Sequence, residues 1–329
     1  MTPRRTSAAM VMGMAVAAAA MLATAVTADA QTWPSRPIRV ISPFTAGNAG
    51  DTVARIVFDR VSQQIGQALL IENKPGAGGT LAGDFVAKAD PDGYTLLLSS
   101  ASLSSQVVFH KTMPYDAIRA FQPVSLIGIQ PTVVVAAPKH NFKTLADLIA
   151  AAKAKPGALT FASAGVGSAS HMAAERLLVA AHIDARHIPF RGAEGVTEVM
   201  AGRIDFYCVP AAPAVPLITA GKVTVLAVST AKRATLLPSV PTVAEAGYPE
   251  AEYVFWGGVA APAKTPSAIV TKLHDEIEKA LQVPEVQEKL KKLGVEEQFL
   301  TVAQFDKFVS DDMAATLKLA KDAHLQPTD

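Results

Sequence analysis

Pro43-Phe44-Thr45-Ala46-Gly47-Asn48-Ala49-Gly50-Asp51 and Ser163-Ala164-Gly165-Val166-Gly167-Ser168-Ala169-Ser170-His171 are two glycine-rich turns of one kind. Each follows a run that reads as a strand and precedes a run that reads as a helix. A strand that ends in small residues and feeds a helix presents several backbone N–H groups at the helix start. With the helix dipole, those groups form a place for an anion. One such turn is an ordinary strand–helix connection. Two of them, in different lobes, could hold one small anion from both sides.

Working outward, Ile38-Arg39-Val40-Ile41-Ser42 reads as the strand before the first turn. Residues 52–65 read as the helix after it, with Val53, Ile56, Val57, Val61 and Ile65 on one face and Gly66 at its end. Strands follow at 68–72 and 94–98, with a glycine-rich loop and a short helix between them. A further strand is expected at 132–137, after which the pattern starts again. A helix at 145–153 leads to a strand at 159–162, the second turn and a helix from 168 to about 180. Strands at 185–190, 204–209 and 223–229 come next. The end of the chain reads as helical, with stripes Val270, Leu273, Ile277, Leu281 and Phe305, Val309, Met313, Leu317. Alternating strands and helices predict α/β layers around mostly parallel sheets. The restart predicts two lobes: 31–131 with 231–329, and 132–230, with the ligand cleft between them.

The first thirty residues read as a targeting segment. Arg4 and Arg5 are followed by the apolar run 8–26 and the cleavage signal Ala28-Asp29-Ala30, so the mature chain is expected to begin at Gln31. The 329-residue chain has 30 Lys plus Arg and 29 Asp plus Glu, and no basic stripe suggests nucleic acid. Cys208 is the only cysteine, so no disulfide can form within the chain. A monomeric, exported protein of the bacterial periplasm, stabilised by its core, is expected.

The side chains around the turns narrow the chemistry. Asp51 and Thr52 suit the N-cap of the first helix, and the Asp51 charge argues against a phosphate there. Ser163, Ser168 and Ser170 add hydroxyls to the second turn. His171 reads either as a residue bonded to the backbone or as a donor that fixes the loop. No G-K-[S/T] follows either turn, and 76–83 matches a dinucleotide fingerprint only loosely. A hydrolase would need Ser163 or Ser168, His171 and Asp205 to assemble as nucleophile, base and orienting acid, and no G-x-S-x-G elbow is present. No HExxH, CxxC or close histidine pair suggests a metal, and no cofactor is expected. His182, before the strand at 185–190, and His187, within it, read as surface residues. Trp256, after Tyr253 and Phe255, reads as core packing or as a residue near the cleft.

With these residues in view, the chain resembles the Bug (Bordetella uptake gene) family, the extracytoplasmic solute receptors of tripartite tricarboxylate transporters. The resemblance runs through Trp33-Pro34-Ser35-Arg36-Pro37-Ile38, the first turn, Glu72-Asn73-Lys74-Pro75-Gly76-Ala77-Gly78-Gly79 and Asp90-Pro91-Asp92-Gly93-Tyr94-Thr95. It continues through Pro114-Tyr115-Asp116, Ala152-Lys153-Ala154-Lys155-Pro156-Gly157, the second turn, Pro189-Phe190-Arg191-Gly192 and Leu237-Pro238-Ser239-Val240-Pro241-Thr242. It implies a two-lobed Venus-flytrap fold of the periplasmic binding protein type. It also implies a ligand carboxylate held by both turns through backbone groups and ordered waters, and a partner permease in the inner membrane. Carried over by position, the binding residues are Phe44, Ala46, Gly47 and Asp51 in the first lobe, with Ser163, Gly165, Gly167, Ser168 and His171 in the second. Asp205 matches a position near the cleft. Asn48 and Phe190 depart from the family's usual glycine and tyrosine and bear on ligand choice. A neutral or aromatic amide ligand, a sensory role, and a secreted hydrolase using Ser168 and His171 are the alternatives.

Overall fold

The computed structural model describes residues 33–327, apart from 48 and 191–193. The targeting segment, Asn48 and Arg191 therefore lie outside the described residues. The described residues from Pro37 onward form one compact unit.

Nine strands are present among the described residues: β1 Ile38–Ser42, β2 Leu69–Asn73, β3 Thr95–Ser100, β4 Phe121–Ala136, β5 Thr160–Ser163, β6 Arg186–Pro189, β7 Phe206–Pro210, β8 Thr224–Val228 and β9 Val254–Pro262. The α-helices are α1 Ala49–Ile65, α2 Thr80–Ala87, α3 Ala101–Phe109, α4 Leu145–Ala154, α5 Ala169–Ala181, α6 Glu194–Met200, α7 Ala211–Thr219, α8 Ser267–Leu281, α9 Pro284–Lys292 and α10 Val302–Asp322. β1 lies between β2 and β3, parallel to both. β9 then pairs antiparallel with β3 on one side and β4 on the other. In the second sheet β5 is parallel to β6 and β7, while β7 and β8 both run antiparallel to β4.

The expectation of mostly parallel sheets is corrected at this point. β4 runs antiparallel to each of its neighbours and serves both sheets. Residues 121–131 pair with β9, and residues 132–136 pair with β7 and β8. The strand expected at 132–137 is thus the end of a longer one, whose earlier part holds Pro123 and Pro131, residues that local rules place outside a central strand. The register of β4 against β9 shifts between Pro123 and Ser125, which absorbs the first proline in an irregular stretch. The second stands where pairing passes from one sheet to the other, where a missing N–H breaks no uniform ladder.

The helices bury the stripes expected of them. Val53, Val57 and Val61 of α1 are buried, as are Val270, Leu273, Ile277 and Leu281 of α8. In α10, Phe305 and Met313 are buried, whereas Leu317 is 42% exposed. α3 is absent from the sequence reading. Its buried residues are Ala101, Ser104, Ser105, Gln106, Val108 and Phe109; 101, 104, 105 and 108 keep helical spacing, but three of the six are polar. One core runs from the first sheet to the second, taking in Phe109, Leu126, Val134, Met172, Trp256 and Phe305. Trp256 belongs to it, edge-on to Phe305 and Phe308, with its indole N–H donated to Asp312 at 3.1 Å. Ala234, Leu237 and Val240 pack with the second sheet's core. No helix among the described residues is long and apolar enough to cross a membrane.

Candidate functional site

Both glycine turns border one cavity of about 370 Å3. Pro43 and Phe44 come from the first turn; Ala164, Gly165, Val166 and Ser168 come from the second. Gly76, Gly78 and Gly79 of the loop after β2 join them, as do Ser100, Ser102, Leu103 and Gln106 from the end of β3 and from α3, with Leu97 and Leu98 beneath. The loop glycines and α3 are additions to the residues expected from the sequence. The signal available was the same strand–small residue–helix pattern, present at 72–80 and again at 98–101.

Helix starts dominate this wall. Gly79, Ser100 and Ser168 are the N-cap residues of α2, α3 and α5. The first N–H groups of a helix have no partner within it. Ser168 accepts from the His171 N–H, which satisfies one of them. Gly79 has no side chain to offer, and the Ser100 hydroxyl makes no cap bond. By contrast α4 and α10, away from the cavity, carry full capping boxes on Thr144 and Thr301. None of the side chains lining the cavity is charged.

The first turn is held by a charged network behind it. Asp51 is fully buried. Its carboxylate accepts from the Gly47 N–H at 3.0 Å, from Arg55 Nε at 2.8 Å and Nη2 at 3.1 Å, and from Asn73 Nδ2 at 2.7 Å. Burial alone would raise the Asp51 pKa, but these bonds outweigh it and hold the carboxyl below its ordinary value. Asn73 also donates to the Phe44 carbonyl at 3.0 Å, tying the turn to β2. The Asp51 carboxylate is thus spent on shaping the turn. Ala46 and Gly47 are exposed on its rim, outside the lining.

The second turn is held by uncharged groups. Gly167, at φ +73°, donates its N–H to His171 Nδ1 at 3.1 Å. An imidazole nitrogen that accepts carries no proton, so the His171 proton sits on Nε2, 3.3 Å from Glu175. His171 therefore stands behind the turn as an acceptor, not in the cavity as a donor. His187, expected on the surface, stacks on the His171 ring at 4.0 Å between centroids and on Phe161 at 4.9 Å. Its Nε2 lies 2.6 Å from Ser163 Oγ, which in turn is bonded to the N–H and the carbonyl of Gly165. Burial, and then the neighbouring His171, push the His187 pKa down to about 3. Ser163 is fully buried and joins this scaffold rather than the wall. The Ser168 hydroxyl meets the backbone, not the ring, of His171, so the nucleophile–base pair of a hydrolase is not formed there.

Two expected site residues lie outside the cavity lining. Asp205 sits at the opposite end of β5 from the turn, where it accepts from the Thr160 N–H at 2.8 Å and hydroxyl at 2.9 Å, Lys139 at 2.8 Å and His140 at 2.6 Å. Burial works against its ionisation, yet these donors hold its pKa at about 2. Sequence spacing does not say which end of a short strand faces the cleft, and here Asp205 lies at the Thr160 end. Phe190 packs its ring into the second sheet's core and donates its N–H to the Ser163 carbonyl at 3.0 Å. Among the described residues no group of three or more His, Cys, Asp or Glu could hold a metal ion.

Comparison with known proteins agrees with this architecture. The profile of the family described as "Tripartite tricarboxylate transporter family receptor" matches residues 53–325. The chain is 40% identical over 265 residues to a UPF0065 protein from the tcbD-tcbE intergenic region of a Pseudomonas species, covering 80% of this chain and 79% of the relative. It is 35% identical to BugT of Bordetella pertussis, covering 92% and 93%. Among solved structures it is similar to an R. palustris protein with adipate, at TM-score 0.80 and 31% identity over 90% of this chain and 99% of that one. It is also similar to MatC of Rhodopseudomonas palustris with bound malate, at TM-score 0.76 and 31% identity over 87% and 99%. The alkanesulfonate-binding protein SsuA of Xanthomonas axonopodis pv. citri, at 13% identity and TM-score 0.52, shares the fold alone. The protein has the two-lobed α/β fold of periplasmic binding proteins, and the chain belongs to the tripartite tricarboxylate transporter receptor family.

Proposed function

We propose that this chain is a periplasmic receptor that captures a small carboxylate and delivers it to the membrane permease of a tripartite transporter. The observation that carries the reading is the cavity wall: helix starts, glycines and hydroxyls around about 370 Å3, with no charged side chain. That volume falls in the range of small-molecule sites, roughly 300–1,000 Å3. Each helix start favours an anion by about 0.3–1 kcal/mol, and more when partly buried. Three of them with several hydrogen bonds are compatible with micromolar binding, about 8 kcal/mol. The acids bound to the two R. palustris relatives support the same ligand class.

In this reading Phe44, Gly165 and Ser168 touch the ligand. Ala46, Gly47 and Gly167 shape the backbone around it. Asp51, Ser163 and His171 hold the two turns. Asn48 borders the first turn and bears on specificity. The targeting segment is removed after Ala30, and the exported chain works as a monomer without catalysis. The lobes part at the 131/132 junction of β4, and the return to the first lobe comes after residue 230, since Leu237 and Val240 pack on the second core. Ligand capture draws the lobes together, favouring the closed state.

A thermal-shift screen of the exported protein against mono-, di- and tricarboxylates, amino acids and aromatic amides tests this. A bound acid at about 100 times its Kd adds about 2.7 kcal/mol, which raises Tm by roughly 4 °C for a chain of this length. Shifts with an amide and none with any acid would show the carboxylate reading to be wrong.

A further inference from the structure

Gln106 is a buried amide turned into the cavity, with only 4% of the residue exposed. His110, one helical turn on, places Nε2 at 3.0 Å from its Oε1. An amide oxygen only accepts, so the imidazole donates and fixes the carboxamide. The NH2 group then faces the second turn: a Cβ on Gly167 would stand 3.1 Å from Nε2. On the other side the carboxamide lies against Gly78, where a Cβ would come within 2.2–2.3 Å of its atoms. Glycine at both positions leaves the space the amide fills. Oε1 has His110 as its partner, whereas Nε2 has no acceptor among the described residues. A donor fixed at the cavity wall with no acceptor of its own is placed to meet an oxygen of the ligand.

Resting on the carboxylate reading above, we infer that Gln106 is a specificity-determining residue that donates to a second acceptor oxygen of the ligand. Leu97, Leu98 and Leu103 line the same wall with apolar side chains. A simple monocarboxylate leaves the Gln106 donors buried and unmet. A dicarboxylate or a hydroxy acid meets them. Being neutral, the amide serves a carboxylate or a hydroxyl oxygen alike.

The experiment is calorimetric titration of the exported protein with butyrate, hexanoate, succinate, adipate and malate, in wild type, Gln106→Met and Gln106→Glu. Methionine keeps the length and removes the donor. Glutamate keeps the shape and the His110 contact, so it remains informative should the methionine variant fold poorly. The expected result is that the di- and hydroxy acids bind the wild type more tightly than the monocarboxylates. Their affinity falls about tenfold in Gln106→Met and about a hundredfold in Gln106→Glu, while the monocarboxylates change less than about twofold in Gln106→Met. Equal losses for both classes, or none for either, would overturn the inference and leave the carboxylate reading standing. If the wild type bound no acid, the carboxylate reading itself would fail and the inference with it.

Discussion

The two glycine turns do the same work with opposite chemistry. Behind the first stands an ionised carboxylate, Asp51, gripped by Arg55, Asn73 and the Gly47 N–H. Behind the second stand two neutral stacked imidazoles, His171 and His187, with the Ser163 hydroxyl. On the proposed reading a bare negative charge beside the cavity would repel the ligand, and the Asp51 charge is tied up by these donors. The second turn is held instead by the accepting Nδ1 of His171, the Ser163 hydroxyl and His187, whose pKa burial pushes down. The comparison therefore predicts two cradles that fail under different insults.

The largest effect is expected at Asp51. Asp51→Ala leaves the Gly47 N–H, Asn73 and Arg55 without their acceptor. Arg55 is half exposed and recovers some solvation, so a loss of about 2–4 kcal/mol is expected in denaturant unfolding. A loss under 1 kcal/mol would mean that the network does not hold the turn.

Gly167→Ala comes next. The residue has positive φ, and its new Cβ would meet the Phe109 ring at 2.8 Å. Strain and crowding together should cost about 2–3 kcal/mol and weaken ligand binding. The matching change in the first turn, Gly47→Ala, has positive φ but nothing within 4 Å. It should cost only about 1 kcal/mol, the backbone term alone, and is the smallest effect expected. Equal losses at both sites would erase the distinction between a crowded turn and an open one.

Between these lies the response to acid. His187 takes up a proton near its ordinary value of 6.5 when unfolded but only near about 3 when folded. Between those values the unfolded state binds more protons, so stability present above about pH 6.5 is lost as pH falls. By pH 5 the loss is on the order of 1–2 kcal/mol. Asp51 titrates below its ordinary range, so the first turn weakens only below about pH 4. His187→Phe should flatten the unfolding profile between pH 6.5 and 5 and leave the steeper fall below 4. An unchanged profile would remove His187 as its cause.

Much of this was legible in the chain. Both turns, the strands before them and the stripes of α1 and α8 follow from small residues, positive-φ glycines and helical periodicity. What stayed hidden was decided by distant contacts. α3 carries serines at positions where apolar residues would have marked a buried face, because those serines meet the second turn and Asp312; Ser105, for instance, donates to the Gly167 carbonyl. β4 contains two prolines that local rules place outside a sheet interior. Asp205 has the residue type and spacing of a cleft acid, yet the sheet direction puts it at the other end of β5. His187 looked exposed because its partners, Phe161 and His171, lie on other elements.

The shared strand also sets where this protein can be rebuilt. Side chains alternate along β4, so one inserted residue near Pro131 would turn every later position of the strand to the opposite face. Val133 and Val135 pack into one core and Val134 and Ala136 into another, so that flip would exchange the contents of two interiors at once. Reporter domains and new loops therefore belong in the connections around the strand, and β4 itself is the length of chain least open to insertion.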